Sequence, residues 1–190
     1  SEVATELQKR TMRHVGTDMD CDITDPESVA GFMDSAKSPI STIINCAAYT
    51  AVDQAEDEPK QAEAINAEAP ANLAAAAAAR NAAVIHVSTD YVFDGTAAEP
   101  YTEDAPVSPV GVYAQTKAAG ERRLAEAAPR HIIVRTAWLY GKNGKNFVNT
   151  MLRLFQERDE LTVVNDQRGA PTYAKDLAAA LVTIAAGDSA

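Results

Sequence analysis

The apolar residues of the chain fall into two kinds of segment that alternate. Short apolar runs bounded by turn residues predict buried strands, whereas apolar residues at helical spacing predict amphipathic helices. The strand-like runs lie at 43–48, 84–88, 131–136 and 161–164. The helical segments begin near residues 1, 26, 59, 113, 146 and 176. This alternation predicts an α/β fold, a parallel sheet with helices on both faces.

Turn and capping residues predict where several elements begin and end. The segment 20–22 is predicted to end a strand, and Asp25 followed by Pro26 suits the start of the next helix. Pro70 should bend or interrupt the helix that begins at Pro59. Cys46 lies in an apolar run, which predicts a small core residue.

One stretch, 84–117, carries the residue types of an acid–base site. Its strand ends in Ser88 and Thr89, and Tyr113 and Lys117 share one helix face one turn apart. A nearby ammonium favours the phenolate, so it brings the phenol pKa, ordinarily about 10, toward the working range. Such a trio suits moving a proton at an oxygen while hydride moves at carbon. Most Tyr-x-x-x-Lys pairs are exposed helix pairs, but here a strand-end hydroxyl precedes the pair.

Several motifs in the same order carry a family resemblance. They are NCAAYTAVDQAE at 45–56, STDYVFDG at 88–95, RTAWLYG at 135–141, KNFV at 145–148 and DQRGAPT at 166–172. Together with Tyr113 and Lys117, they make the chain resemble the extended short-chain dehydrogenase/reductase family, and within it the dTDP-4-dehydrorhamnose reductases. The resemblance covers nearly the whole chain and implies a Rossmann-like, doubly wound parallel sheet.

The resemblance also implies a reaction and catalytic roles. NADPH or NADH would give hydride to C4 of a dTDP-sugar, dTDP-4-dehydro-L-rhamnose. Tyr113 would protonate the oxyanion, and Lys117 would hold the cofactor ribose and lower the phenol pKa. Thr89 would position the oxygen, while Asp90 and Trp138 would border the sugar. For Trp138, the alternative from the residues alone is a core side chain.

Further residues are implied to border the cofactor. Asp22 and Ile23 would lie along the adenine, although Asp22 is equally well explained as a turn residue. Ala47, Ala48 and Tyr49 would border the cofactor beyond the strand that precedes them. For Arg135 the sequence favours a paired structural residue over a contact to substrate.

The resemblance predicts one NAD(P)-binding domain over 1–190, with substrate-binding elements mainly from 138–175. The family's first strand and glycine-rich turn are not found in the sequence, so we expect the sheet to lack that strand and both ends to be trimmed. The glycine-rich turn supplies backbone donors to pyrophosphate. We therefore expect this chain to bind dinucleotide weakly and to be inactive alone.

The composition of the chain limits the classes of ligand and partner that it is expected to bind. The formal net charge is −10, which argues against a general nucleic-acid binder. Two cysteines and three histidines without mutual spacing predict neither a disulfide framework nor a metal site. No apolar run is long enough to cross a membrane, so the cytoplasm is the expected location. The resemblance allows a homodimer.

Two other functions stay open. A relative of these reductases is a non-catalytic regulatory subunit of methionine adenosyltransferase, but such a protein would tolerate loss of Thr89, Tyr113 and Lys117. A sugar-nucleotide epimerase of the same superfamily is disfavoured by Trp138 and by the segment 166–172.

Overall fold

The computed structural model describes residues 1–18 and 20–187. Within them, the chain forms two compact units. The sheet unit comprises Val15–Arg135, and the second unit comprises Ser1–His14 with Thr136–Gly187. The prediction of a single domain stays a prediction.

Helices and short strands alternate along the chain, as the hydrophobic pattern indicates. Among the described residues the helices are α1 (Glu2–Lys9), α2 (Pro26–Ser35), α3 (Val52–Asp57), α4 (Pro59–Glu63), α5 (Ala69–Ala78), α6 (Val112–Ala127), α7 (Phe147–Glu157) and α8 (Ala174–Gly187). The strands are β1 (Thr42–Asn45), β2 (Ala83–Thr89), β3 (His131–Thr136), β4 (Leu139–Tyr140) and β5 (Thr172–Tyr173).

The three-stranded sheet has the order β1-β2-β3. Strands β1 and β2 are parallel, with Thr42 opposite Ala83 and Asn45 opposite His86. Parallel neighbours need a long crossover, and α3, α4 and α5 supply it. The predicted α/β class is confirmed. The register also brings two polar side chains together near the carboxyl ends of their strands.

Small side chains bring helices close to this sheet. Helices α5 and α6 pack against each other and against β2. Their core cluster consists largely of alanines, with Val84 and Leu124 fully buried. A second cluster joins Val29 and Met33 of α2 to Leu73 of α5. Alanine allows the helix backbones to approach closely, which fixes how α6 presents its side chains to the sheet.

A π-helical turn at Ala64–Glu68 separates α4 from α5. Pro70 follows it within the first turn of α5, so the predicted interruption is confirmed. Because Pro70 has no N–H, it cannot donate to the Asn66 carbonyl. Gly120 of α6 lies against that carbonyl oxygen, and a Cβ at Gly120 would overlap it. The absence of a side chain at Gly120 therefore permits the contact between the two helices.

Helix α6 begins with a cap from outside its own sequence. Gly111 precedes it with φ of +82°, and the Val112 N–H donates to Glu56 Oε1 at 2.7 Å. Helix α2 begins instead with its own cap, because Asp25 accepts from the N–H groups of Glu27 and Ser28. The predicted start at Asp25 and Pro26 is confirmed.

The second unit pairs α1 with α8 and β4 with β5. Arg10 joins the helices by donating to the Thr183 hydroxyl at 2.9 Å and to the Ala179 carbonyl at 3.2 Å. Strands β4 and β5 are parallel, with Leu139 opposite Thr172.

Three local predictions are wrong. The run 161–164 is not a strand, and Val164 is 69% exposed. An apolar run forms a strand only where a neighbour can pair with it, and no strand pairs with this run among the described residues. The segment 20–22 forms turns rather than the end of a strand. Cys46 is exposed, because Asn45 Oδ1 accepts from the Ala47 N–H and turns the chain out of β1.

The contact at Gly120 predicts a position-specific loss of stability. Gly120→Ala should lower the free energy of unfolding by about 1–3 kcal/mol, since the new methyl group overpacks the helix contact. Gly31→Ala is the matched control, because Gly31 lies inside α2 with open space around it. That change should be neutral or stabilising by up to about 1 kcal/mol. Urea unfolding followed by circular dichroism measures both, and equal effects would contradict the proposed close contact.

Candidate active site

Lys117 is the most deeply buried charged side chain of the candidate site. It is 2% exposed, and its Nζ donates to the Val87 carbonyl oxygen of β2 at 2.9 Å. Burial lowers the pKa of Lys117 to about 8, although the acidic groups of Glu121 and Cys46 partly offset that effect. The side chain therefore remains mostly charged at neutral pH while being held against the sheet.

Tyr113 lies one turn before Lys117 on α6, next to Thr89 at the end of β2. Burial raises the pKa of Tyr113, the hydrogen bond with Thr89 lowers it in part, and Asp90 and Tyr91 raise it further. This is opposite to the predicted lowering by Lys117. The ammonium of Lys117 is directed at the Val87 carbonyl, so the dominant influence on the phenol is loss of water. The phenol is therefore protonated at neutral pH.

The chain leaves β2 through a turn held by Thr89. Its hydroxyl accepts from the Tyr91 N–H at 3.2 Å. The same hydroxyl donates to Asp90 Oδ1, also at 3.2 Å. Burial raises the pKa of Asp90, and hydrogen bonds lower it in part. The Tyr91 ring meets the Tyr113 ring edge to face at 5.7 Å. Thr89, Asp90 and Tyr113 are thus brought together at the carboxyl end of β2.

The segment after β1 offers small side chains at the same end of the sheet. Cys46 and Ala47 are exposed, and Ala48 and Tyr49 are half-buried. The Tyr49 hydroxyl donates to Glu58 at 2.7 Å, and this bond raises the pKa of Tyr49 to about 12. Small residues such as Ala47 and Ala48 leave the backbone open to a flat ring, and the contact of this segment with the cofactor stays a prediction.

Asp22 and Ile23 lie in a turn before α2. Asp22 Oδ1 accepts from both the N–H and the hydroxyl of Thr24, at 2.9 and 2.7 Å, and these bonds lower the pKa of Asp22. The Ile23 carbonyl accepts from Asn72 at 3.1 Å. The turn explanation of Asp22 therefore has a structural basis, while the contact with adenine stays a prediction.

Buried polar residues next to Lys117 and next to its neighbour Thr116 were missed from the sequence, namely His86 and Asn66. His86 lies with Nε2 3.3 Å from Lys117 Nζ and with Nδ1 3.0 Å from Asn45 Nδ2. Asn66 bonds both the N–H and the carbonyl of Tyr49, and it donates to Thr116 of α6 at 3.2 Å. The available signal was a polar residue inside an otherwise apolar run, as His86 is in 84–88.

Arg135 is paired, as the sequence favours. Its Nε and one terminal nitrogen donate to the two oxygens of Glu121 at 3.0 and 2.7 Å. Its guanidinium also lies 5.1 Å from the centre of the Phe93 ring. This two-point bond raises the pKa of Arg135 and ties α6 to β3.

Trp138, in the second unit, is not a core side chain. It is 46% exposed and has φ of +46°, a backbone conformation uncommon for a bulky residue. Its carbonyl accepts from the Thr172 N–H at 3.3 Å, and its ring lies over Gly169. The described residues thus place the ring against the 166–172 segment, and its contact with a sugar stays a prediction.

The described residues offer neither a cluster of metal ligands nor a helix suited to a membrane. In 1–18 and 20–187, no group of three or more His, Cys, Asp or Glu residues could hold a metal ion. No helix in those ranges has the length and apolar character needed to cross a membrane.

Comparison with known proteins identifies the family. The sequence model of the RmlD substrate binding domain matches residues 1–190. The chain belongs to this family. A dTDP-4-dehydrorhamnose reductase of Aggregatibacter actinomycetemcomitans is 49% identical over 164 residues, which cover 86% of this chain and 55% of the relative. The chain spans about half the length of the curated relatives it matches.

Solved structures confirm the Rossmann-like class that the motifs imply. A dTDP-4-dehydrorhamnose reductase of Clostridium acetobutylicum superposes with a TM-score of 0.93 at 44% identity, covering 99% of this chain and 66% of that chain. The Bacillus anthracis dTDP-4-dehydrorhamnose reductase, solved in complex with NADP, gives a TM-score of 0.91 at 39% identity. It covers 98% of this chain and 67% of that one. The resemblance drawn from the motifs is therefore confirmed.

Trp138 is the single tryptophan, so its fluorescence reports its packing. A Cβ at Gly169 would lie 2.6 Å from Trp138 Cε2, too close for the ring to stay in place. Gly169→Ala should therefore shift the emission and change quenching by acrylamide. Gly16→Ala is the control, since a Cβ there meets nothing within 4 Å. Unchanged emission in Gly169→Ala would contradict this packing.

The burial of Lys117 predicts a pH-dependent stability. Its pKa is about 8 when folded against an ordinary 10.5, so the unfolded state binds more protons between these values. The free energy of unfolding should rise with pH across this window, by roughly 3 kcal/mol if the full difference is realised. Lys117→Met should remove that rise. Urea unfolding at several pH values measures it, and equal slopes in the two proteins would contradict the prediction.

Proposed function

We propose that the protein reduces the C4 keto group of dTDP-4-dehydro-L-rhamnose to give dTDP-L-rhamnose, with NADPH or NADH as reductant. The observation that carries the proposal is the meeting of Thr89, Tyr113 and Lys117 at the carboxyl end of β2. Ligands bind at that end of the strands in open α/β sheets. The names of the relatives support the choice of substrate, and the NADP in the Bacillus anthracis structure supports the choice of cofactor.

Tyr113 is the proposed proton donor. Reduction of a ketone creates an oxyanion, which needs a proton at the same site. Because burial raises the pKa of Tyr113, the phenol holds its proton at neutral pH and can give it to that oxygen. Thr89, whose hydroxyl lies beside Tyr113, would hold the oxygen in place by turning its one hydroxyl hydrogen from Asp90 Oδ1 to that oxygen.

The nicotinamide cofactor, when bound, supplies the hydride. Ala47, Ala48 and Tyr49 would border it, since the small side chains after β1 leave the backbone accessible. Lys117 would bond the ribose through the hydrogens not donated to the Val87 carbonyl. We further propose Asp22 and Ile23 as neighbours of the adenine.

Asp90, which lies beside the proposed catalytic residues, is a proposed neighbour of the sugar. In the second unit, Trp138 is separately proposed as a sugar contact. The exposed ring of Trp138 offers a flat apolar face of the kind that sugars pack against. Substrate-binding elements would come mainly from 138–175, as the resemblance implies. The homodimer, the cytoplasmic location and the absence of a nucleic-acid partner also remain predictions. Sedimentation of the purified protein tests the first.

Replacing the proton donor tests the proposal. Tyr113→Phe should reduce turnover of dTDP-4-dehydro-L-rhamnose by roughly 10²–10⁴-fold and leave cofactor binding intact, because only the acid is lost. Tyr101→Phe is the matched control, since it removes a phenol that bonds Asp94 in an exposed loop. Rates follow from the loss of nicotinamide absorbance. Near-normal reduction by Tyr113→Phe would refute Tyr113 as the donor.

Titration with NADPH and with NADH tests the cofactor separately. Calorimetry gives both dissociation constants and shows which dinucleotide is preferred. Measurable binding of either dinucleotide would support the proposed cofactor. Failure of both to bind at millimolar concentration would contradict it.

A further inference from the structure

A chain of three buried polar side chains crosses from β1 through β2 to α6. Asn45, His86 and Lys117 are 4%, 0% and 2% exposed. Asn45 Nδ2 lies 3.0 Å from His86 Nδ1, and His86 Nε2 lies 3.3 Å from Lys117 Nζ. The parallel register makes this possible, since Asn45 and His86 are direct neighbours across the sheet. Lys117 is therefore contacted on its buried side by a residue for which the proposed reaction gives no role.

The positions of the hydrogens on Asn45 and His86 follow from one contact with the backbone. Asn45 Oδ1 accepts from the Ala47 N–H at 3.0 Å, so Asn45 must turn its NH₂ group toward His86. An amide NH₂ only donates, and hence His86 Nδ1 must accept. A neutral imidazole carries one ring hydrogen, which must then be on Nε2. His86 stays neutral because burial, and next the charge on Lys117, lower the pKa of His86 to about 3.

Two donors consequently face each other at the buried end of Lys117. The Nε2–H of His86 points at an ammonium that has hydrogens but no acceptor. The Val87 carbonyl takes one ammonium hydrogen, and His86 takes none. The contact thus disfavours the ammonium on that side, and a neutral amine would accept from His86 instead. Glu121 of α6 and the thiol of Cys46 after β1 act in the opposite direction.

We propose that Asn45 and His86 are positioning residues for Lys117. Asn45 holds His86 in the Nε2–H tautomer, and that N–H denies the ammonium an acceptor on its buried side. The hydrogens not bound by Val87 then turn away from His86, to the side where the cofactor ribose is proposed to bind. This inference rests on the proposed function for its purpose, but its geometry does not depend on any ligand.

The tautomer of His86 is the direct test. The nitrogen-15 chemical shifts of the ring distinguish a protonated Nε2 from a protonated Nδ1 in the intact chain without cofactor. We expect hydrogen on Nε2 alone at neutral pH. A wild-type ring with hydrogen on Nδ1 would overturn the proposal, whatever the protein turns out to catalyse.

Asn45→Asp tests the role of the amide with almost no change in shape. A carboxylate only accepts, so it can take the Ala47 N–H with one oxygen and a hydrogen on His86 Nδ1 with the other. Nε2 would then accept from Lys117, and the pKa of Lys117 should rise by about 1 pH unit.

The titration of Lys117 is followed through a carbon-13 label at Cε, and its signal is assigned by its loss in Lys117→Arg. Asn81→Asp adds the same charge on an exposed turn and should change neither reading.

The readings separate a positioning role from a purely structural one. Hydrogen on Nδ1 together with a raised Lys117 pKa in Asn45→Asp supports the proposal. The proposal is overturned if the His86 ring of Asn45→Asp has no hydrogen on Nδ1, or if the pKa of Lys117 is the same as in the wild type. If Asn45→Asp fails to fold, the wild-type tautomer decides alone. In an active enzyme, Asn45→Asp should raise KM for the cofactor several-fold more than it lowers kcat. If the tautomer and the Lys117 titration behave as expected but KM does not rise, the result counts against the proposed function only.

Discussion

Everything at the candidate site depends on one buried charge being held between a strand and a helix. An ammonium out of water is costly unless its hydrogens find partners. For Lys117 the Val87 carbonyl supplies one partner from within β2, so the lysine is tied to the strand whose end carries Thr89. Since Tyr113 lies one helical turn away, that single bond sets both how α6 is rotated on the sheet and where the phenol lies.

The close approach of α6 to the crossover helices also helps to fix the position of α6 on the sheet. Gly120 contacts the Asn66 carbonyl, to which Pro70 cannot donate because it has no N–H. The Asn66 side chain meanwhile bonds the Tyr49 backbone and the Thr116 hydroxyl, one residue before Lys117. The segment after β1, where the cofactor is proposed to bind, is thereby tied to the helix that carries Tyr113 and Lys117. Rigid support of this kind keeps reacting groups in register.

Residues with local or repeated signals were predictable from the sequence. Helical periodicity placed Tyr113 and Lys117 on one face, and capping chemistry placed the start at Asp25. Cys46 and the run 161–164 were mispredicted because an apolar run does not reveal whether its backbone finds a neighbour. His86 and Asn66 were missed because a single polar residue in an apolar segment has no spacing to interpret. The role of His86 depends on β1 and β2 being adjacent, and that of Asn66 depends on α6 lying beside the segment after β1. Local sequence encodes neither arrangement.

The cap on α6 affects how the site can form during folding. The first N–H of this helix is satisfied by Glu56, which lies 56 residues earlier in the chain. A peptide spanning only α6 would lack that partner, and a helix start with no acceptor is frayed. The turn that carries Tyr113 therefore gains this bond only when a long loop has closed, and closing such a loop has an entropic cost. The order of the proposed proton donor thus depends on contacts far away in the sequence.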